Sequence, residues 1–379
     1  MEPIQVLPDH VQVGPFQERQ EALGATFYED MGWLWTAGFG DPVEEYWAVR
    51  RGVGLWDVSA LVKYRFSGPD ALAALDRLTT RATIGLAPGT VRYGVVLDED
   101  GLMLDEGTTF VISAEEAYLF GNDEREPFVE HLERHTADLD VRIENVTARI
   151  PNIAVQGPGS YELVARLADA DIAELKWFHL SPEPVTLAGV RGLLSRTGFT
   201  GELGYEFFLL DPDGAEGLWD AVLDAGAAPF GLDAVELLRV EAGLLIQHED
   251  YVPGQTDPYE LSLDPYIDLE GHDFVGKQAA ARRAVGPSRR MVTLVIQGEE
   301  VPEAGTPVTV EGRAVGDVRS PARTPRFGAI ALAVLDARCA DDGGVVQVDG
   351  RPATVRPAPI DDPRKLRPRS DPRDPVRVS

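Results

Sequence analysis

A strand, a Gly-Pro turn and a helix follow one another twice in this chain, and this repeat limits the folds open to it. The strand LVKYRF leads through Ser67-Gly68-Pro69-Asp70 into the helix DALAALDRL, and IAVQGPGSYELVARL at residues 153–167 has the same order. A proline just inside a helix start fits the backbone of the first turn. Two such units predict two related α+β domains.

A β-hairpin is predicted between the two units. The first strand ends at Leu97, an Asp-Glu-Asp-Gly turn follows, and the second strand covers residues 102–113. Asp105 and Glu106 interrupt the second strand. Neighbouring strand residues point to opposite faces, so one of the two should face inward, where an unpaired carboxylate is costly. This favours a functional site, with a solvated sheet edge as the alternative.

Residues 191–210, RGLLSRTGFTGELGYEFFLL, place two apolar runs around a glycine-rich turn that leads to Glu206. The apolar runs predict buried strands, which would hold the turn and this carboxylate rigidly. Glycines every third residue would let the backbone approach a flat ligand. Two interpretations stay open: a binding carboxylate, or an ordinary hairpin whose Glu206 faces water. No Lys-Ser/Thr pair follows to close a phosphate-binding loop, and the glycine spacing does not match the dinucleotide fingerprint.

The rest of the chain contains a predicted amphipathic helix and then a region of short predicted strands. The helix is predicted over GLDAVELLRVEAGL, and from Arg289 short strands alternate with Gly/Pro turns. This pattern predicts a separate small β-barrel or jelly roll. The tail from Pro359, rich in Pro, Asp and Arg, is interpreted as an extended arm or a disordered end.

Charge and cysteine content exclude several functions. A net charge of −28 argues against nucleic acid or an anionic membrane as the main partner, because phosphate binding needs a basic surface. The single cysteine, Cys339, excludes an internal disulfide. No run of 18 apolar residues occurs, and the segment from Met1 to Ile4 does not begin a signal sequence. We therefore expect a cytoplasmic protein with neither a nucleic-acid nor a membrane partner.

The histidines predict no metal site. His131 and His135, in the segment EHLERH, share the i, i+4 spacing of one helix face. The sequence shows no HExxH motif and no third ligand beside them. We therefore expect no bound metal.

An ordered series of motifs resembles the glycine-cleavage T-protein family, which includes folate-dependent aminomethyltransferases and demethylases. The matching segments are WDVS (56–59), SGPDA (67–71), GxxxYGVVLDEDGxMLDE (89–106), Asn122, QGP (156–158), SRTGFTGELGYE (195–206), LLRVEAGL (238–245), DFVGK (273–277) and Ser320-Pro321. The series covers nearly the whole chain, so it is far more specific than any one motif.

The resemblance implies an α+β fold of the T-protein type, a three-domain cloverleaf with tetrahydrofolate bound in a central channel. The implied domains are a discontinuous folate-binding α+β domain, a second α+β domain, a C-terminal all-β barrel or jelly roll, and an extended tail. Their expected boundaries are residues 1–54 with 151–285, residues 55–150, residues 286–360 and residues 361–379.

The resemblance also assigns site residues. Glu206 would bind the pterin, because a carboxylate can accept two parallel N–H donors from its 2-amino-pyrimidinone edge. The catalytic carboxylate would be Glu106 or Asp105, at a pair that is usually Asp-Asp or Asn-Asp in the family. The further cofactor-binding residues would be Tyr93, Asn122, Arg239, Phe199 and, for an anionic polyglutamyl tail, Arg323 or Arg319.

Departures from the family pattern favour its demethylase branches. Phe199 stands where glycine-cleavage members usually carry tyrosine, and His248-Glu249-Asp250 replaces the usual Gly-Asn-Asp. The N-terminal stretch is rich in tryptophan (Trp33, Trp35 and Trp56), which would line a pocket or simply belong to the core.

Three functions follow from the resemblance. The first is a tetrahydrofolate-dependent methyltransferase that demethylates a small N-, O- or S-methyl donor. The second is the glycine-cleavage aminomethyltransferase, which uses a lipoyl carrier protein as its partner. The third, a non-catalytic folate-binding regulator, ranks last because the Lys-Gly-Cys-Tyr type motif of that branch is absent from the sequence.

Overall fold

The structure is a computed structural model that describes residue 4 and residues 10–378. The expected start of the first domain at residue 1 and most of the segment from Met1 to Ile4 lie outside the described residues, as does the last residue of the tail. None of the helices in the described part of the chain is long and apolar enough to cross a membrane.

The strands are, in chain order, β1 (Thr26–Asp30), β2 (Trp33–Gly38), β3 (Gly54–Asp57), β4 (Val62–Ser67), β5 (Val91–Leu97), β6 (Met103–Ser113), β7 (Glu116–Gly121), β8 (Arg142–Asn145), β9 (Asn152–Gln156), β10 (Val185–Leu187), β11 (Val190–Ser195), β12 (Gly204–Leu209), β13 (Ala228–Pro229), β14 (Arg289–Ile296), β15 (Pro307–Val310), β16 (Arg313–Thr324), β17 (Gly328–Asp336), β18 (Val345–Val348) and β19 (Arg351–Arg356). The α-helices are α1 (Gln17–Ala22), α2 (Pro42–Arg51), α3 (Ala71–Leu78), α4 (Glu126–Thr136), α5 (Ser160–Leu167), α6 (Ala215–Asp224), α7 (Leu232–Ala242), α8 (Lys277–Arg283) and α9 (Leu366–Arg369).

The first sheet has the strand order β10-β11-β12-β9-β3-β13. Strands β3, β9 and β12 are antiparallel neighbours, and Trp56, Ala154 and Glu206 lie opposite one another across them. The other face of this sheet carries apolar residues such as Ile153 and Phe207, which pack against α5 and α6. One face is therefore closed by helices, and the face with Glu206 is left for another partner.

The second sheet has the order β5-β6-β7-β4-β8. Apolar side chains such as Phe66 and Leu119 pack on one of its faces against α3 and α4. The predicted hairpin is confirmed, because β5 and β6 pair antiparallel on either side of the Asp-Glu-Asp-Gly turn.

The two strand–turn–helix units are confirmed, and their turns have the same backbone geometry. Strand β4 leads through Gly68 into α3, and β9 leads through Gly157 into α5. These glycines have φ values of 127° and 124°, which L side chains rarely adopt. A Cβ atom at Gly68 would lie 2.7 Å from the carbonyl oxygen of Asp140, and at Gly157 it would lie 2.5 Å from that of Gly52. Both turns thus require glycine for conformation and for space.

The C-terminal segment forms a closed barrel with the order β14-β17-β16-β15-β18-β19. Its interior is filled by aliphatic side chains, including Leu294, Val318 and Val355. The predicted architecture of mixed α and β sheets followed by an all-β domain is confirmed, and of the two all-β alternatives the barrel is the observed one. Strand pairing puts β3 in the first sheet, while the expected boundaries of independently folding domains stay a prediction.

Part of the tail, around residues 361–370, contacts the rest of the protein. The Arg196 guanidinium donates hydrogen bonds to the carbonyl oxygens of Pro368, at 2.9 Å, and Ser370. Arg367 lies in a buried ionic cluster, with its Nε atom 2.9 Å from Glu202 Oε1. Arg196 and Glu202 both belong to the segment between β11 and β12. The tail therefore supports the glycine-rich turn through contacts with these two side chains.

Candidate active site

The open faces of the two sheets meet through aromatic side chains. The ring of Phe208 on β12 lies 5.5 Å from that of Phe110 on β6 and 4.7 Å from that of Phe120 on β7, measured between centroids. Residues two or four positions apart on a strand share a face. Glu206 therefore lies on the same face as Phe208, and Glu106 lies on the same face as Phe110. Both carboxylates therefore lie on the faces that border the space between the sheets.

Glu206 is buried and held in place by a hydroxyl group. It is 9% exposed and accepts a hydrogen bond from the Thr197 hydroxyl, which lies 2.5 Å from the hydroxyl of Ser195. Burial raises its pKa, while Thr197 and the charge of Lys63 act in the opposite direction. Glu206 therefore does not face water, and its role as a binding carboxylate stays a prediction.

The glycine spacing of the turn is explained by a buried glutamine. A Cβ atom at Gly198 or Gly204 would lie 2.0 Å or 2.3 Å from the side chain of Gln156. This side chain donates to the carbonyl oxygen of Thr197 and accepts from the hydroxyl of Thr200. These two glycines thus serve packing against Gln156, a role that the sequence did not indicate.

Lys63 is a buried basic residue that the sequence pattern did not indicate as part of the site. It is 0% exposed, and its Nζ atom donates to the carbonyl oxygens of Ser59, at 3.1 Å, and Leu61, at 2.6 Å. Burial lowers its pKa to about 7 against the opposing charges of Asp57, Glu206 and Glu124. It is paired with Phe120 across β4 and β7, so it shares the face that meets the first sheet. Its only sequence signal is the scarcity of lysine in this chain.

Asp105 is fully engaged by neighbouring groups. It is 2% exposed and accepts hydrogen bonds from the main-chain nitrogens of Glu106, Asn122 and Asp123, from the Asn122 side-chain amide, and from the Tyr251 hydroxyl at 3.1 Å. Burial raises its pKa to about 6, although these hydrogen bonds favour the charged form. Asp105 lies on the helix-covered face of the sheet and orders the residues around it.

Glu106 has fewer partners and faces the inter-sheet space. The Asn122 side-chain amide lies 3.4 Å from its Oε1 atom. Burial and the neighbouring charge of Asp105 raise its pKa to about 8, and hydrogen bonds from Tyr93 and Asn122 lower it. The Tyr93 ring packs edge-on against Tyr266 at 4.7 Å. Both members of the Asp105-Glu106 pair are buried, whereas the sequence required burial of only one.

Arg239 binds protein groups with each of its guanidinium nitrogens. It is 0% exposed, and it donates to Glu236, to Asp250 at 2.6 Å, to the carbonyl oxygen of Leu244 and to the Ser320 hydroxyl at 2.7 Å. Ser320 in turn donates to Asp250. This arrangement joins α7 to the barrel. Because every guanidinium nitrogen already has a protein acceptor, the structure supports a positioning role for Arg239 and not direct contact with a ligand.

The other predicted residues differ in exposure. Phe199 is half-buried and packs against an apolar cluster that contains Trp56 and Phe230. The Arg323 side chain is 58% exposed and forms an ion pair with Glu299 on the barrel surface. Arg319 forms an ion pair with Asp317 at 2.7 Å. The structure therefore groups Glu106, Asp105, Asn122 and Tyr93 on the second sheet and places Glu206 on the facing side of the first sheet. Phe199 packs against the apolar cluster that contains Trp56, and Arg323 lies on the barrel surface.

The tryptophans divide between the core and a small cavity. Trp56 is buried and lies beside Phe230, and the indole of buried Trp33 donates to Glu124 at 2.8 Å. Trp33 and Trp35 line a cavity of about 10 Å³. A larger open cavity of about 470 Å³, lined by residues such as Arg65, Tyr118 and Leu193, includes none of the predicted site residues. We therefore place the candidate site by its carboxylates and not by cavity volume.

Family models match both parts of the chain. The model described as the GCVT N-terminal domain matches residues 16–271, and the model of the glycine cleavage T-protein C-terminal barrel domain matches residues 289–363. A solved structure, the glycine cleavage system aminomethyltransferase T from Bartonella henselae, superimposes with a TM-score of 0.84 over 92% of this chain and 98% of that chain, at 24% identity. This likeness supports the fold.

Curated relatives extend over almost the entire chain. A probable aminomethyltransferase from Natronomonas pharaonis is 35% identical over 360 residues, which is 91% of this chain and 98% of the relative. A trimethylamine-oxide aldolase from Ruegeria pomeroyi is 35% identical over 94% of this chain, which corresponds to 48% of that longer protein.

Proposed function

Because this chain belongs to the glycine-cleavage T-protein family, we propose that it is a tetrahydrofolate-dependent one-carbon transferase that demethylates a small N-, O- or S-methyl donor. The observation that carries the proposal is the pair of buried carboxylates, Glu206 and Glu106, on facing sheets. One carboxylate would bind the cofactor and the other would act at the reacting atoms.

The surroundings of Glu206 fit a pterin. On the same sheet face, the indole nitrogen of Trp56 and both polar side-chain atoms of Asn152 are buried without a hydrogen-bond partner in the described part of the chain. Buried polar groups normally have partners, so a ligand edge with both donors and acceptors suits this face. Glu206 would accept two N–H donors of the pterin, and the Thr197 hydroxyl would keep its carboxylate oriented.

Glu106 is the better choice for the catalytic carboxylate. Asp105 is engaged by main-chain and side-chain donors and lies on the helix-covered face, whereas Glu106 faces the inter-sheet space. A carboxyl whose pKa is raised to about 8 can hold or accept a proton near neutral pH. Tetrahydrofolate, when bound, supplies the nitrogen that accepts the one-carbon unit. Glu106 would then take up the proton that this nitrogen releases, while Asp105 and Asn122 would keep Glu106 in place.

The remaining assignments are part of the same proposal. Tyr93 and Phe199 would contact the cofactor, Arg323 would bind an anionic polyglutamyl tail on the barrel side, and Arg239 would act through Asp250. The methyl donor would be a small molecule, and the protein would work in the cytoplasm with neither a nucleic-acid nor a membrane partner.

A second candidate is aminomethyl transfer from a lipoyl carrier protein, which is favoured by relatives named as aminomethyltransferases. Both candidates use the same two carboxylates, and they differ in the donor. A regulator without catalytic activity is the third alternative.

A titration and a donor screen test the proposal. Reduced folate should quench the fluorescence of buried tryptophan, and the screen should then find one methylated amine, amine oxide or sulfonium donor that yields a one-carbon folate. Product formation only with an aminomethyl-loaded lipoyl carrier would favour the second candidate. Folate binding without turnover of any donor would favour the regulator, and failure to bind reduced folate would overturn all three.

A further inference from the structure

Three potential metal ligands from two separate elements lie together on the outer side of the second sheet. Glu99 belongs to the turn between β5 and β6, and His131 and His135 lie on α4. One ligand atom from each residue lies within 4.8 Å of the other two. His135 Nε2 is 2.9 Å from Glu99 Oε1, and the two imidazole centroids are 4.6 Å apart. The hairpin turn supplies the third ligand that the sequence pattern did not show.

His131 provides a second, independent observation. The residue is 2% exposed, and its Nε2 atom is buried without a hydrogen-bond partner among the described residues. A buried polar atom that lacks a partner costs free energy. A metal ion bound to the imidazole would remove that cost, because imidazole nitrogen is a strong ligand for transition metals.

An arginine also contacts the carboxylate of this cluster. Arg134 Nη2 lies 2.9 Å from Glu99 Oε1, the same oxygen that contacts His135. The Arg134 side chain is 60% exposed, so it can turn into solvent when another cation neutralises Glu99. Arg134 therefore acts as a competitor for the carboxylate and not as a fixed part of the core.

We propose that Glu99, His131 and His135 form a binding site for a divalent transition-metal ion, with Zn²⁺ as the best fit. Two imidazoles and one carboxylate suit Zn²⁺, whereas Ca²⁺ and Mg²⁺ prefer oxygen ligands. Tetrahedral coordination at the usual bond lengths separates ligand atoms by about 3.3 Å. The three side chains thus need only to close slightly, and solvent would supply the remaining coordination.

The ion would tie the β5–β6 turn to α4. Strands β5 and β6 carry Tyr93, Asp105 and Glu106, and the pairs Val96–Asp105 and Val95–Glu106 lie close to the turn, so the site would stabilise the end of the hairpin nearest to the proposed chemistry. Its role would be structural, because its ligands lie on the helix side of the hairpin turn and outside the inter-sheet space. Binding only to the folded state raises thermal stability in proportion to the logarithm of the free metal concentration.

The test uses the full chain without an affinity tag, treated with a chelator and then titrated calorimetrically with ZnCl₂. We expect one ion per chain and a Tm that rises with Zn²⁺. Glu99→Gln and His135→Ala, at the two more exposed positions, should each weaken binding by about 10- to 100-fold while the metal-free Tm stays near that of the wild type. His10→Ala, at an exposed histidine, should bind as the wild type does. Arg134→Ala should bind Zn²⁺ more tightly, because the competing guanidinium is gone.

Two results would overturn the proposal. One is a wild-type chain that binds no Zn²⁺ up to about 100 µM, a concentration at which even a weak specific site raises Tm. The other is a wild-type affinity that stays unchanged in both Glu99→Gln and His135→Ala, which would locate the ion elsewhere.

Discussion

Asn122 holds Asp105 through two separate donors, its main-chain nitrogen at 2.9 Å from Oδ2 and its side-chain amide at 2.9 Å from Oδ1. The same side-chain amide lies 3.4 Å from Oε1 of Glu106. One asparagine at the end of β7 thus sets the positions of both adjacent carboxylates, and it holds Asp105 the more firmly.

Asp105→Asn and Glu106→Gln should therefore have different effects. The Asp105→Asn change would turn one acceptor oxygen into a donor that faces other donors, so we expect a loss of about 1–3 kcal/mol in unfolding free energy together with reduced turnover. Glu106→Gln should not lose stability, and it should keep its folate affinity but lose turnover by about 100-fold or more. Urea unfolding, folate titration and turnover separate these outcomes. Glu115→Gln, at an exposed position in the next turn, is the control, and full turnover in Glu106→Gln would refute the assigned role.

The pKa of Glu106 also predicts how stability depends on pH. Its pKa rises from 4.5 to about 8 on folding. Between these values the folded protein keeps a proton that the unfolded chain releases, so the unfolding free energy should fall as pH rises through this window. Glu106→Gln should make this fall less steep, by up to about 1.4 kcal/mol per pH unit. Urea unfolding at several pH values measures the slope, and equal slopes in both proteins would contradict the raised pKa.

Thr197→Val should weaken the binding of reduced folate without unfolding the protein. The hydroxyl that donates to Glu206 would be lost while the side-chain volume is kept. We expect an affinity loss of about 10-fold, which corresponds to ~1.4 kcal/mol for a hydrogen bond to a charged group. Thr354→Val in the barrel should bind as the wild type does. Unchanged affinity in Thr197→Val would count against Glu206 as the pterin ligand.

Lys63→Met should shift the pH dependence of folate binding. The charge of Lys63 lowers the pKa of Glu206, so its removal should raise that pKa and move the acidic limb of the affinity profile to higher pH. The variant would also leave the carbonyl oxygens of Ser59 and Leu61 without this donor, at a cost of about 1–3 kcal/mol, so thermal unfolding checks that it folds. Lys176→Met, at an exposed lysine, provides the control. A profile that stays in place would show that Lys63 does not act on Glu206.

Arg239→Met should be among the most destabilising single changes at this site. It would leave Asp250 buried without its ionic partner, at a cost of about 3–5 kcal/mol. Ser320→Ala should cost about 1–2 kcal/mol, because Arg239 keeps its other partners. Arg323→Met, on the exposed barrel surface, should cost below about 1 kcal/mol. Thermal unfolding measures all three, and a small effect of Arg239→Met would contradict its role as the link between α7 and the barrel.

The sequence predicted local features well because local chemistry determines them. The two Gly-Pro turns need positive φ at Gly68 and Gly157, and the Asp-Glu-Asp-Gly hairpin follows from its turn residues. The alternation of a strand also predicted that Asp105 and Glu106 occupy opposite faces. The all-β C-terminal domain, predicted as a barrel or a jelly roll, followed from the alternation of short strands and turns.

The missed features are contacts between residues far apart in the chain. Glu99 contacts His135 across 36 positions, and the charge of Lys63 acts on Glu206 only because two sheets face each other. The fit of Gly198 and Gly204 to Gln156 likewise depends on strand pairing, which the spacing of glycines does not reveal. Periodicity predicts which face a residue takes, but it does not identify the opposite surface.

The support of the glycine-rich turn by the tail has a consequence for how the protein is made. The guanidinium of Arg196 donates to the carbonyl oxygen of Pro368, which lies 172 residues later in the chain. Closing so long a loop lowers the conformational entropy of the chain, and this loss comes before the contact can stabilise the fold. During synthesis, strands β11 and β12 can therefore pair early, while the turn between them acquires its final support only after the barrel and residues 368–370 have been translated.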